Sequence, residues 1–155
     1  HLLSRRQRQM CIRDRYNINP CNINLEITES ALMEDKTNLL DNMNRLMEYG
    51  VKFSLDDFGT GHSNLNYIVD MPVNIVKFDK GMLDAYFENG RAKYVMDAAM
   101  HMIQGMKLEI VAEGIETKEH FENIAKLGIN FVQGYYFSKP VTARQFLLFI
   151  NENNK

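Results

Sequence analysis

The chain has 155 residues, 45% hydrophobic and 25% charged, a balance that suits one globular core. No apolar run reaches the ~18 residues of a membrane span, and no apolar stretch follows the basic N-terminus as in a secretion signal. Cys11 and Cys21 are too few for a disulfide framework, which points to a reducing, cytoplasmic setting.

Residues 1–15 stand apart. They carry Arg5, Arg6, Arg8, Arg13 and Arg15 against Asp14 alone, with no helical or strand period. A basic arm for nucleic acid is one reading. However, Met10-Cys11-Ile12-Arg13-Asp14 resembles the translation of a transposon-end adapter used to prepare DNA libraries. The segment is therefore read as non-native and disordered, outside the domain. Without it the chain, already at a net −2, becomes more acidic. That argues against DNA or RNA as a partner.

From Asn22 onward, short β-branched or apolar runs alternate with amphipathic stretches. Asn22 to Ile27 reads as a strand. Leu39, Leu40, Met43, Leu46 and Met47 then form one helix face, ended by Gly50. Val51 to Asp56 is the second strand, followed by a glycine-rich loop and a short helix over Asn64 to Val69, closed by Pro72. Asn74 to Phe78 is the third strand. Tyr94, Met96, Ala99, Met100 and Ile103 mark a long helix. Leu108 to Ala112 is the fourth strand, with a helix from Thr117 to Leu127 and a stop at Gly128. Ile129 to Val132 is the fifth. Thr142 caps a last helix through Phe146, Leu147 and Ile150.

Strands alternating with helices imply parallel βαβ units, in an open doubly wound sheet or a (β/α) barrel. Polar residues favour the barrel. Glu26, Asp56 with Asp57, Lys77, Glu113 and Gln133 lie at or just beyond the C-terminal ends of five successive strands. A barrel gathers that rim around one cavity. The expected fold is α/β, a partial TIM-like barrel with about five of eight strands, over residues 16–155.

Glu26, Asp56, Asp57 and Glu113 are four carboxylates at one rim. Crowded like charges need a cation among them, and hard divalent ions prefer oxygen ligands. His62, His101 and His120 share no zinc-ligand spacing. Any one acid taken alone reads better as a solvated loop residue or a helix cap, whereas the four together do not, and Glu113 with Gly114 and Glu116 also suits a helix N-terminus. Neighbouring Asp56 and Asp57 would point apart in a regular strand, but a turn at the strand's end lets both face one cavity. Lys77 either points into the barrel, where it needs a partner, or lies on the far face with its stem on apolar neighbours. A Schiff-base lysine is a third option without direct support. Asp57-Phe58-Gly59-Thr60-Gly61-His62-Ser63-Asn64 forms a loop that can order beside an anionic ligand, or a plain tight turn. It is not a dinucleotide fingerprint, because Asn64 holds the third glycine position.

Together these segments resemble the EAL domain family of cyclic di-GMP phosphodiesterases. The resemblance rests on Leu25-Glu26-Ile27-Thr28-Glu29-Ser30, Asp56-Asp57-Phe58-Gly59-Thr60-Gly61, Val76-Lys77-Phe78-Asp79, Ala112-Glu113-Gly114-Ile115-Glu116-Thr117 and Gln133-Gly134-Tyr135, in order, across Ile23 to Ile150. It implies hydrolysis of cyclic di-GMP to linear pGpG with two bound Mg²⁺ or Mn²⁺ ions. Glu26 and Asp56 would hold the first ion, with Asp56 bridging to a second held by Asp57 and Glu113. Lys77 would contact the attacking water, with Lys77 and Glu113 as the catalytic pair, and Gln133 would lie near substrate. Glu29 would anchor the loop of Gly59, Gly61 and Ser63, which in this family couples dimerisation to metal binding, so a homodimer is implied. Membrane attachment would come only through other domains of the parent.

The Glu-Ala-Leu segment that names the family, and its asparagine ligand, are not in the chain. Both are expected on strands that precede it. His62 stands where an aromatic residue is usual, and Asn64 where serine is frequent. The chain alone is therefore expected to be inactive and poorly stable. The competing readings are a degenerate EAL domain that binds cyclic di-GMP or a protein without cleavage, and an unrelated barrel enzyme acting on a phosphate ester.

Overall fold

The computed structural model describes residues 17–28, 31, 36–59, 66–88 and 90–153. The segment 1–15 and the residues Glu29, Gly61, His62, Ser63 and Asn64 lie outside the described residues.

Among the described residues five strands form one sheet: β1 (Asn24–Thr28), β2 (Lys52–Phe58), β3 (Ile75–Phe78), β4 (Glu109–Ala112) and β5 (Phe131–Val132). All neighbours are parallel, and strand order follows chain order from β1 to β5. A doubly wound sheet would reverse its order at a switch point, whereas a barrel winds on in one direction. The strands therefore form part of a TIM-like barrel wall, as the rim argument anticipates.

Alternation explains which face is buried. Phe53 and Leu55 of β2, Val76 and Phe78 of β3, and Ile110 and Ala112 of β4 all turn to one side and are buried. Phe58 and Phe78 stack there with ring centroids 5.5 Å apart. The packed helices are α1 (Lys36–Met47), α2 (Asn66–Asp70), α3 (Lys80–Phe87), α4 (Arg91–Gly105) and α5 (Lys118–Ile124). They contribute Met43, Ile68, Leu83, Met96, Met100, Ile103 and Ile124 to this core. The opposite face carries Glu26, Ser54, Asp56, Ile75, Lys77 and Val111.

Two asparagines lengthen the ladder where strands begin. Asn74 donates its N–H to Phe53 O at 2.9 Å and accepts Glu109 N–H at 2.9 Å. Asn130 donates its N–H to Ile110 O at 3.2 Å, and its side-chain Oδ1 accepts Ile110 N–H at 2.8 Å.

Helix ends follow the sequence closely. Thr117 is the N-cap of α5, accepting His120 N–H at 3.1 Å. The helix tightens to a 3-10 turn over Ala125–Leu127 and stops at Gly128, whose φ of 70° suits glycine. The last helix, α6 (Ala143–Asn153), opens with a reciprocal cap: Thr142 N–H donates to Gln145 Oε1 at 3.0 Å, and Gln145 N–H donates to Thr142 Oγ1 at 3.4 Å.

Two features depart from the sequence expectation. Helix α3 was not anticipated, although Asp79 caps it by accepting Met82 N–H at 3.1 Å and Leu83 and Tyr86 sit at helical spacing. Tyr94, placed with the buried face of the long helix, is 78% exposed, because it lies off the line through Met96, Ala99, Met100 and Ile103. Phe146 and Leu147 of α6 are exposed, as are Leu148 and Phe149. Among the described residues no helix is long and apolar enough to cross a membrane.

Candidate active site

Lys77 sits near the end of β3 with its side chain 10% exposed. Val76 and Phe78 alternate onto the helix-covered face, so Lys77 turns to the opposite face, the inward option of the sequence reading. There its ammonium meets three carboxylates. Nζ lies 2.8 Å from Glu26 Oε1, 2.9 Å from Asp56 Oδ1 and 2.9 Å from Glu113 Oε1. An ammonium has three N–H donors, and each has a carboxylate to receive it.

The convergence joins three separate strands. Glu26 lies on β1, Asp56 on β2, and Glu113 directly follows β4, tied by its N–H to Phe78 O at 3.0 Å. Oxygens this close to one nitrogen lie no further apart than about twice that hydrogen-bond distance. Burial alone would lower the Lys77 pKa. The hydrogen bonds it donates to Asp56, Glu26 and Glu113 outweigh that effect and hold the pKa well above the usual lysine value.

Asp56 and Asp57 sit at an irregularity in the β2–β3 ladder. Leu55 pairs with Val76 and Phe58 with Phe78, so the two aspartates oppose Lys77 alone. Asp57 takes a left-handed φ of 55°, which aspartate tolerates better than most residues. This is a β-bulge, a device that re-aims side chains beside active sites. Asp56 reaches Lys77, while Asp57 is exposed.

Three carboxylates against one ammonium leave two negative charges unbalanced. Among the described residues, no three His, Cys, Asp or Glu side chains are arranged as ligands to one ion, and the ammonium holds the centre of the cluster. The donor chemistry nevertheless fits Mg²⁺ or Mn²⁺: hard oxygens, excess negative charge and no sulfur.

Other predicted positions flank this centre. Gln133 accepts Ile115 N–H at 3.1 Å through its carbonyl and donates its N–H to Ala112 O at 2.8 Å. With Gly114, Glu116, Tyr135, Lys139 and Phe146 it lines a cavity of about 580 Å³. Gly59 follows the bulge with a φ of 95°. Sequence reasoning missed the layer beneath the carboxylates, where Asn24 Nδ2 donates to fully buried Ser54 Oγ at 3.0 Å. The signal was present, since Asn24 and Ser54 precede Glu26 and Asp56 by two residues and so share their face.

The EAL domain family matches residues 4–140, a span that opens within the basic segment. Cyclic di-GMP phosphodiesterase NbdA of Pseudomonas aeruginosa is 36% identical over 121 residues, 78% of this chain and 16% of NbdA. The EAL enzyme Bd1971, in its cAMP- and cyclic-di-GMP-bound form, superposes with a TM-score of 0.84 at 35% identity, over 91% of this chain and 37% of that one. Klebsiella pneumoniae BlrP1, solved as a manganese and cyclic di-GMP complex, gives 0.74 at 25% identity, over 80% of this chain and 32% of that one. The chain spans 15% to 26% of the length of the curated relatives it matches. By sequence and by fold, the chain belongs to the EAL domain family.

Proposed function

We propose that this chain carries the C-terminal part of a cyclic di-GMP phosphodiesterase domain that opens the cyclic dinucleotide to linear pGpG. The supporting observation is the convergence of Glu26, Asp56 and Glu113 on Lys77. Four charged side chains from four positions along the fold meet at the barrel rim, where barrel enzymes do their chemistry.

Glu26, Asp56, Asp57 and Glu113 would hold two Mg²⁺ or Mn²⁺ ions. When bound, such ions neutralise phosphodiester charge and acidify a water. Lys77, whose ammonium meets Glu26, Asp56 and Glu113, would serve as a cationic donor. It orients the carboxylates and the attacking water. The water oxygen bonds to phosphorus, and its proton passes to a carboxylate, with Glu113 as the candidate. The P–O3′ bond would break, and the 3′ oxygen would leave as a hydroxyl after taking a proton from solvent water, while Glu113 returns its own to solvent, so that one water is added in all. Gln133, on the cavity wall, would contact substrate or its water shell. The setting would be cytoplasmic, either free or through a membrane-anchored parent, with a homodimer as the assembly.

The test is cyclic di-GMP hydrolysis by the chain extended to its whole EAL domain, with Mg²⁺, Mn²⁺ and Ca²⁺ compared. Formation of pGpG with Mg²⁺ or Mn²⁺ is expected. Binding of cyclic di-GMP without product, under every metal, would overturn this reading in favour of a degenerate binding module.

A further inference from the structure

A second ion pair runs alongside the first. Lys80 Nζ lies 2.8 Å from Glu116 Oε1. Lys80 is three residues beyond Lys77, and Glu116 is three beyond Glu113. The first pair joins β3 to the loop after β4, and the second joins the first residue of α3 to the same loop. The Lys77–Glu113 pair is at the reacting centre, and the Lys80–Glu116 pair lies outside it.

Between the two glutamates stands Gly114, with a φ of 71°. Lys80 lies over it so closely that a Cβ at Gly114 would come within 2.6 Å of Lys80 Cβ and 2.9 Å of its Cγ. The other side of the loop is held by backbone. Ile115 N–H donates to Gln133 O at 3.1 Å, and Tyr136 N–H donates to Ile115 O at 3.0 Å. The loop that carries Glu113 is thus gripped from both sides, with Lys80 as one jaw.

We infer that Lys80 is a positioning residue for the proposed reaction, fixing the loop that presents Glu113 by pairing with Glu116 and covering Gly114. The inference rests on the phosphodiesterase reading. Hydrogen bonding to the partner raises the Lys80 pKa and lowers that of Glu116, as a formed pair requires. Both side chains are nearly half exposed, and exposed pairs add little to global stability. The effect is local: a small displacement of Glu113 matters because catalytic geometry tolerates little misplacement.

The test uses Lys80→Met, which keeps the stem over Gly114 and removes the charge. Lys80→Arg is the conservative rescue, and Lys80→Glu with Glu116→Lys is the swap. Steady-state hydrolysis is measured in the chain extended to its whole domain, and amide hydrogen exchange in the chain itself. Lys80→Met should lower kcat about 5- to 20-fold while KM moves less than about 2-fold. Ile115 N–H should exchange faster, the melting temperature should hold, and Lys80→Arg and the swap should recover most of the loss. Unchanged kcat and exchange would overturn the inference. So would a rise in KM alone, which would make Lys80 a substrate contact, or a loss that neither rescue repairs. Were the wild-type domain to leave cyclic di-GMP intact, the phosphodiesterase reading would fall. Exchange at Ile115 would still decide whether Lys80 holds the loop.

Discussion

Asp56 reaches Lys77 at 2.9 Å across a bulge that sets two residues of β2 against one of β3. Asp57 provides the extra residue and turns left-handed. A regular ladder would have sent the two aspartates to opposite faces. The bulge instead frees their orientations at the rim while Leu55 and Phe58 both stay in the core. Replacing Asp56 by Asn keeps size and shape but removes the charge. Asp56→Asn in the whole domain should reduce Mn²⁺-dependent hydrolysis by about 10²-fold or more with the melting transition intact. Retained activity would end the two-metal assignment.

Lys77→Met should destabilise the fold. It leaves Glu26, Asp56 and Glu113 facing one another with no ammonium between them. Removing one partner from a mostly buried ion pair costs up to 3–5 kcal/mol, and the partial exposure here reduces that to about 1–3 kcal/mol. The pH dependence has a definite sign. In the wild type, the raised Lys77 pKa means its contribution is fully present below the usual value of 10.5 and is lost as pH rises through the folded value. In the variant, stability should instead improve on acidification, as a crowded carboxylate takes up a proton. Urea unfolding at pH 5, 7 and 10 distinguishes the two profiles, and parallel curves would contradict the arrangement.

Much of this was legible from alternation and spacing. The five strands and the rim positions of Glu26, Asp56, Lys77 and Glu113 follow from period-two runs ending in charged residues. The side to which Lys77 turns was not decidable. Its neighbours Val76 and Phe78 are apolar, but which face the helices cover is a property of the whole sheet. Helix α3 was overlooked because the strand before it and the long helix after it carried the stronger patterns, although Asp79 and the Leu83–Tyr86 spacing announce it. The bulge at Asp56 and Asp57 has no local marker, because it arises from register against β3. Nor could Phe146 and Leu147 be assigned: periodicity identifies an apolar helix face without naming what covers it.

Asn130 illustrates a side chain acting as a strand. Its Oδ1 accepts Ile110 N–H at 2.8 Å, and Ile110 is fully buried. Asn130→Ala leaves that N–H without its acceptor, a loss of about 1–3 kcal/mol. Asn130→Asp keeps an acceptor oxygen and should lose clearly less. Chemical denaturation of the two variants checks the order, and equal losses would assign the cost to something other than this bond.

Gly134 gives the sharpest steric prediction. A Cβ added there would fall on the backbone nitrogen and carbonyl of Ile115, which cannot swing aside as a long side chain can. Ile115 is buried and hydrogen-bonded on both sides, to Gln133 O and from Tyr136 N–H. Gly134→Ala must therefore separate the turn after β5 from the loop after β4, breaking one or both bonds. Overpacking of this kind costs about 1–3 kcal/mol or more, and a backbone obstacle places it at the upper end. Gln133, the residue before it, would shift with the turn, so hydrolysis by the whole domain should fall more than the stability loss alone explains. Gly114→Ala is the informative comparison. It also meets a neighbour at 2.6 Å, but that neighbour is the Lys80 side chain, and its φ of 71° adds strain of a different origin. A wild-type melting curve for Gly134→Ala would show that the two loops do not pack as closely as the Ile115 contact demands.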